Sequence, residues 1–537
     1  MEKTNQNTLD LIEQIKDKIG KPVSIHVVEA TIESFGIREE DTQEDFGFQS
    51  ITTLASHVFT TIYDASDSRE LKNSKERETE IVSPIRHKFS DYIFEKAKIF
   101  IQYYTLGIFH LLPVLIQIAT IIVFGFSLWT FVGFNEIQST AVVLGVVVGL
   151  ISTGGFIQVI GRQASFYWNY QDYHRVEKTI NYLLKIGIVS IFTVLVLIFI
   201  VNFFFHLYPY ELLLIVFVYA FLIGVLVLTI APFHTIKKRW AITVSIALGT
   251  LSAGILKEKT SISIYYVHWI GIGVALLFAR TTLYLYLKKL VRNTSTNSGK
   301  DINIPVFIYH NYQYFFYGLL IYFFIFIDRI LAWSAGEGAS QPFMVYFEKK
   351  YELGMDFAIM VYLMLAGVLE YGIASFTRFM DIGQKVISAS NPEQYSGHIR
   401  KMYWQQVLLL FITGCIAFFL IFELIDAAWG FKAKFNHELS RLSFRVFLIG
   451  GSAYLFLAWG ILNALYLFTL GQVKKPLKAL LYASLLNLVV GFVLSRMVGY
   501  EWSVVGLFAG SVLFLLITIK DTLRYFKNLD YHYYAAY

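Results

Sequence analysis

Apolar residues fill this chain in twelve stretches between about Gly107 and Lys520, six before and six after a polar segment running from Lys288 to Pro305. Each stretch is about 19 to 28 residues long, enough for a helix to cross a hydrocarbon core of roughly 30 Å. The spans fall near 109–133, 139–161, 184–206, 210–233, 238–256 and 264–287, then near 306–333, 354–377, 404–429, 445–470, 477–496 and 502–520. The pattern predicts an all-α integral membrane protein with twelve transmembrane helices in two pseudo-symmetric six-helix bundles. Residues 96–287 would form the first bundle, 288–304 a cytoplasmic linker, and 305–537 the second bundle with a cytoplasmic tail. Two sets of six suit a machine that opens and closes around a path through the membrane.

Residues 1–95 read differently, as a water-soluble extension. Leu9, Ile12 and Ile15 repeat at helical spacing, Val23–Val28 has the β-branched content of a short strand, and Phe46–Tyr63 reads as a helix. Ser66–Glu80 is charged and reads as a flexible linker. Ile85–Tyr104 is amphipathic. It either lies along the inner membrane surface or leads as a soluble helix into the first span.

Composition supports this division. Hydrophobic residues make up 56% of the 537 and charged residues only 16%, against roughly 25% in soluble domains. Mean hydropathy is +0.55. Residues 1–100 hold 13 Lys and Arg against 19 Asp and Glu, so the extension is acidic while the remainder is basic. The basic excess lies in short loops between spans, where the positive-inside rule accounts for it without nucleic acid. An N-terminus on the cytoplasmic side leaves 18 Lys and Arg in or beside inner loops and 10 in or beside outer ones. That bias predicts both termini inside and a multi-pass protein of the plasma membrane. Met1–Asp10 lacks the apolar core of a signal peptide, so insertion falls to the first membrane helix. Cys415 is the one cysteine, which excludes an intrachain disulfide or a Cys-based metal site.

Catalytic signatures are absent. The chain has no G-x-x-x-x-G-K-[ST] loop for nucleotide phosphates, no H-E-x-x-H, no G-x-S-x-G and no paired histidines at ligand spacing. An acidic pair for a lipid-linked donor would be wanted in an early outer loop, and the first offers only Glu136. The expectation is a non-enzyme without cofactor or metal.

The chemistry therefore rests on ionisable and aromatic groups within the spans. Glu370 lies deep in the eighth span, where a carboxylate costs roughly 2.5 to 3.5 kcal/mol and must find a cavity or a partner. Arg280, about two turns before Lys288, either snorkels to the inner surface or turns its fork of donors into a lumen. Asp328 and Arg329 close the seventh span, as an outer gate or as a solvated helix end. Glu423 and Asp426 read as solvated caps. His310, Tyr314 and Tyr317 share one face at the start of the seventh span. They form either a saccharide platform or an interfacial aromatic belt. His110 and His268 are lone histidines in apolar spans. Pro113 and Gly154–Gly155 mark kinks or close packing.

Three stretches carry a family resemblance. Phe326–Trp333 (FIDRILAW) at the end of the seventh span, Tyr351–Glu352 leading into the eighth span with its Glu370, and Leu529–Tyr531 after the last span resemble the PelG family of Pel exopolysaccharide transport subunits. That family is similar to the polysaccharide flippases of the multidrug/oligosaccharidyl-lipid/polysaccharide exporter superfamily. The likeness covers about residues 105–531; the long acidic extension departs from it. It implies export of a hexosamine-rich polysaccharide across the plasma membrane. It also implies a cytoplasmic glycosyltransferase, a membrane receptor for cyclic di-GMP and a scaffold subunit as partners. A partly cationic polymer would suit acidic lumen groups such as Glu370.

Overall fold

The structure is a computed structural model that describes residues 2–20, 22, 24–76, 89–109, 112–292, 304–336, 344–386, 392–427, 430–435 and 438–528. Four helices precede the membrane region: α1 (Glu2–Ile19), α2 (Ile25–Ser34), α3 (Glu39–Asp45) and α4 (Ile51–Glu76). Leu11, Ile12, Ile15, Val28, Ile32, Leu54, Val58 and Ile62 form their core. Two expectations are corrected here. Of the strand expected at 23–28, Ile25–Val28 are the start of α2, and residue 23 lies outside the described residues. Val27, Val28, Thr31 and Ile32 continue a helical repeat and are buried, and that packing outweighs the β-branched preference. The linker expected at 66–80 is helical as far as Glu76, because α4 runs on without a breaker. Residues 77–80 lie outside the described residues.

The membrane region begins with α5 (Phe89–Phe109) and α6 (Leu112–Phe124), followed by α7 (Glu136–Asn169), α8 (Tyr173–Phe205), α9 (Tyr210–Ile230), the short α10 (Pro232–Thr235), α11 (Trp240–Lys259) and α12 (Ile264–Arg292). The second set is α13 (Ile304–Trp333), α14 (Lys349–Val386), α15 (Pro392–Asp426), the short α16 (Phe431–Phe435), α17 (Arg441–Thr469), α18 (Lys474–Met497) and α19 (Ser503–Tyr525). Among the described residues, eleven helical segments are long and apolar enough to cross a membrane. Ala97–Gly107 and Leu112–Ile121, which meet at 49°, are long and apolar enough only as a pair, and make twelve when counted as one broken span.

That bent pair corrects the bounds expected for the first span, 109–133. The crossing starts earlier, because polar positions lower the hydropathy of α5, which packs on α14 along one side. It also stops earlier. Gly125 sits at φ +65°, a conformation that favours glycine, and turns the chain into a non-helical segment with a single bridge between Phe126 and Phe131. Phe126, Ser127 and Leu128 are buried there. Buried non-helical backbone must find partners for its polar groups. Gln117 of α6 provides one, accepting from the Leu128 amide at 2.7 Å while donating to Thr250 of α11 at 2.8 Å. Pro113 lies in the first turn of α6, directly after the break, where its missing N–H costs least.

Two cores divide the remainder. One joins α7, α8, α9, α11 and α12; the other joins α13, α14, α17, α18 and α19. The face at which α7, α12, α17 and α19 end and α8, α13 and α18 begin is referred to below as the terminal face. Phe307, Tyr314 and Val473 of the second half complete the core of the first. The halves are therefore joined along an α7–α13 seam, and a second seam runs between α5 and α14.

Candidate functional site

Glycines set the first seam. A methyl group on Gly154 of α7 would lie 2.5 Å from the Gly318 carbonyl oxygen of α13, so the two backbones touch with no room for a side chain. Gly155 likewise faces Phe315. The Gly154–Gly155 pair is thus a close-packing point.

From that crossing the helices run to the terminal face and frame a cavity of about 800 Å³. Its walls come from the last turns of α7, the first turns of α8 and α13, and the connection between α17 and α18. Cations Arg162, Arg175 and Lys474 line it together with aromatic rings such as Tyr167, Tyr309 and Tyr314. Gln163, Asn311 and Gln472 add amide donors and acceptors, and no acidic side chain lines it among the described residues. The arrangement is held by cross-seam bonds. Arg162 Nε donates to the Tyr314 hydroxyl at 3.2 Å and its guanidinium lies 5.6 Å from that ring. Asn311 Nδ2 donates to Gln163 Oε1 at 3.3 Å and to the Phe307 carbonyl at 2.8 Å. Gly471, at φ +69°, turns the chain so that Gln472 faces the cavity and accepts from the Tyr525 hydroxyl at 3.0 Å. Flat rings beside fixed hydrogen-bonding groups can hold a sugar face while its hydroxyls are read, and the cations add affinity for anionic groups.

His310 and Tyr314 line this cavity. Tyr317 does not. It is buried one turn further on, its ring edge on Phe468 at 4.8 Å.

Glu370 lies on the second seam. Arg239, which opens α11 in the first half, places Nη2 3.0 Å from Glu370 Oε1 in the second, with side chains 21% and 28% exposed. Beside them, a methyl on Gly107 of α5 would lie 2.5 Å from the Gly367 Cα of α14. The carboxylate therefore has a partner in the opposite half.

Asp328 and Arg329 sit inside the second half near the opposite face, both buried. The Tyr351 hydroxyl donates to Asp328 Oδ2 at 2.7 Å, and Arg329 Nη1 donates to Glu352 Oε2 at 2.6 Å. Asp356, 3.8 Å from Arg329, is 68% exposed and gives the network one open end. A solvated helix end is not what these residues form, and Tyr351, Glu352 and Asp356, which they meet, lie in the same half. Arg280 lies apart from both seams, exposed on α12. His268 is buried against the Tyr219 hydroxyl at 2.7 Å.

On the opposite face a short stretch, 344–348, reaches from the second half to the first. The Tyr208 hydroxyl donates to the Val345 carbonyl at 2.9 Å and accepts from the Val345 amide at 3.0 Å. Tyr346 donates to Glu136 Oε2 at 3.2 Å, and the Phe347 amide donates to Thr140 Oγ1 at 3.0 Å. Burial pushes the Tyr208 phenol up to about 12.

Sequence reasoning counted Arg162, Arg175, Lys474 and Arg239 only as loop charges. The aromatic run Phe166–Tyr170 beside Arg162 was the signal for a cavity wall. Nothing local pointed to Arg239 or to Tyr208, whose partners are 131 and 137 residues away.

The chain matches no protein-family model and no curated protein. Its fold is similar to solved MATE transporters. A mutant of the Vibrio cholerae MATE transporter VcmN aligns with a TM-score of 0.56 at 12% identity, over 82% of this chain and 99% of that one. A MATE in complex with MaD5 aligns at 0.54 and 13% identity, over 81% and 97%. An outward-facing multidrug resistance MATE family transporter of the MOP superfamily aligns at 0.52 and 12% identity, over 81% and 96%. At these identities the shared property is the fold, two six-helix halves.

Proposed function

We propose that this chain exports a hexosamine-rich, Pel-like polysaccharide across the plasma membrane, received on the cytoplasmic side from a glycosyltransferase. In this reading the terminal face is cytoplasmic, and a scaffold subunit and a cyclic di-GMP receptor complete the assembly. The observation that carries it is the cavity of about 800 Å³ between the halves at the terminal face, where tyrosine rings and side-chain amides converge. Its size lies in the usual range for small-ligand sites, so it would hold a few sugar residues at a time. Alternating access would come from rocking about the two glycine seams, with the Arg239–Glu370 pair opening and closing one of them.

A second reading keeps the fold and changes the cargo to a lipid-linked oligosaccharide or a small molecule. The cationic lining favours the first of these, because Arg162, Arg175 and Lys474 suit a phosphate carrier better than a cationic polymer. Deleting the gene and measuring secreted polymer decides between them. Loss of hexosamine-containing polymer, with unchanged lipid-linked intermediates, is the expected result. Unchanged secretion overturns the reading.

A further inference from the structure

Arg280 occupies an unusual place. On α12 the exposed positions form one stripe: Tyr266, Ile270, Leu277, Tyr284 and Leu285 are each more than 40% exposed, and Arg280 and Lys288 lie in the same stripe. Stripes of exposed large apolar side chains on a membrane-spanning helix face lipid. The stripe continues on the neighbouring α8, where Val189 and Phe192 are 64% and 63% exposed and Lys185 is exposed beside them. Arg280 therefore projects from the outer wall of the first half, about 12 Å of helix rise deeper than Lys288.

A guanidinium at this depth is costly unless its donors are satisfied. Arg280 Nη2 donates to Asn181 Oδ1 of α8 at 3.2 Å, which orients the fork between the two helices but supplies no negative charge. Among the described residues neither Arg280 nor Lys185 forms an ion pair. Towards the terminal face Lys288 Nζ lies 3.4 Å from the Tyr284 hydroxyl and 5.4 Å from its ring. The groove between α8 and α12 thus carries three cations and a phenol, bordered by the apolar surface of Leu277, Val189 and Phe192.

We propose that this groove binds the phosphate headgroup of an anionic phospholipid. Arg280 takes the phosphate oxygens as a fork of N–H donors. Lys185 and Lys288 flank it with long side chains that reach along the wall. The acyl chains lie on Leu277, Val189 and Phe192. A free phosphate would meet the same donors, but the adjoining apolar strip serves only a molecule with chains. The site is remote from the cavity between the halves and does not depend on what that cavity carries.

The test uses the full-length chain in mild detergent, titrated with phosphatidylglycerol or phosphatidylcholine and read by intact-complex mass spectrometry. Retention of phosphatidylglycerol over phosphatidylcholine is expected, and Arg280→Gln and Lys185→Gln should each weaken it about fivefold, the usual contribution of one cation near an anionic lipid. Arg280→Lys keeps the charge and should lose less, which separates lost charge from misfolding. Equal retention of both lipids by the wild type overturns the proposal. So does undiminished phosphatidylglycerol binding by both Gln variants. Full displacement of the lipid by millimolar inorganic phosphate would identify a soluble-anion site instead and also overturn it.

Discussion

Arg239 and Glu370 meet at 3.0 Å although they belong to opposite halves and lie 131 residues apart. Both side chains keep about a quarter of their surface exposed, so the pair is screened and contributes on the order of 0.5 to 1 kcal/mol. Its value to a rocking molecule would lie in the state it favours, since only the conformation with this seam closed can form it. Glu370→Gln should leave folding intact and reduce export. Exchanging the charges, Arg239→Glu with Glu370→Arg, should recover part of it. Secreted polymer is the readout. An exchange no better than Glu370→Gln alone would remove the pair from the mechanism.

The opposite-face strap makes a separate prediction. Tyr208→Phe deletes both hydroxyl bonds to Val345 and leaves its amide and carbonyl short of partners, at a cost of about 1 to 3 kcal/mol. Because burial raises the phenol from 10.0 to about 12, folding favours its neutral form. The sign follows: its stabilising contribution is fully present below pH 10 and is lost as pH climbs through 12. The melting temperatures of wild type and Tyr208→Phe should differ by a constant amount from neutral pH to about pH 9 and converge above pH 10. A gap that widens with pH would reverse this account.

How much of this was legible beforehand depended on the range of each interaction. Spans were readable because bilayer insertion is decided by local hydropathy over about 20 residues. The first span was misplaced because α5 is less apolar than the other spans and its packing partner, α14, lies far along the chain, where local hydropathy cannot see it. His310 and Tyr314 were found from helical phase alone, while Tyr317, in the same phase, faces Phe468 and not the cavity. Phase names a face and cannot say what covers it. For Glu370 the need for a partner followed from burial energetics. The identity of that partner did not, because Arg239 comes from a loop whose charges all read as topology signals.

Removing Arg329 should be the most damaging single change outside the glycines. Its side chain is 6% exposed and neutralises Glu352, itself 5% exposed, with Asp328 buried alongside. Arg329→Ala would strand buried carboxylates, an effect of about 3 to 5 kcal/mol where a buried pair loses one member. Asp356→Asn, at the exposed end, should cost under about 1 kcal/mol. Detergent-solubilised yield and melting temperature of the two variants provide the comparison. Equal stability would show that the network is not held together by the guanidinium.

The glycine seams allow a test in which packing and movement are read apart. At Gly154 and Gly318 an added methyl meets backbone of the other helix, which cannot swing aside as a side-chain tip does. Gly318→Ala should therefore push α7 and α13 apart at a cost of about 1 to 3 kcal/mol, the usual range for overpacking. Gly161, also on α7, has no atom within 4 Å of an added methyl, so Gly161→Ala should be neutral or slightly stabilising through helix propensity. If rocking turns on the seam, Gly318→Ala should depress export beyond what its loss of folded protein explains, while Gly161→Ala leaves export per molecule unchanged. Export per folded molecule is the quantity that decides. Equal values for the two variants would make the seam a packing device and move the hinge elsewhere, with the bend between α5 and α6 the next place to look.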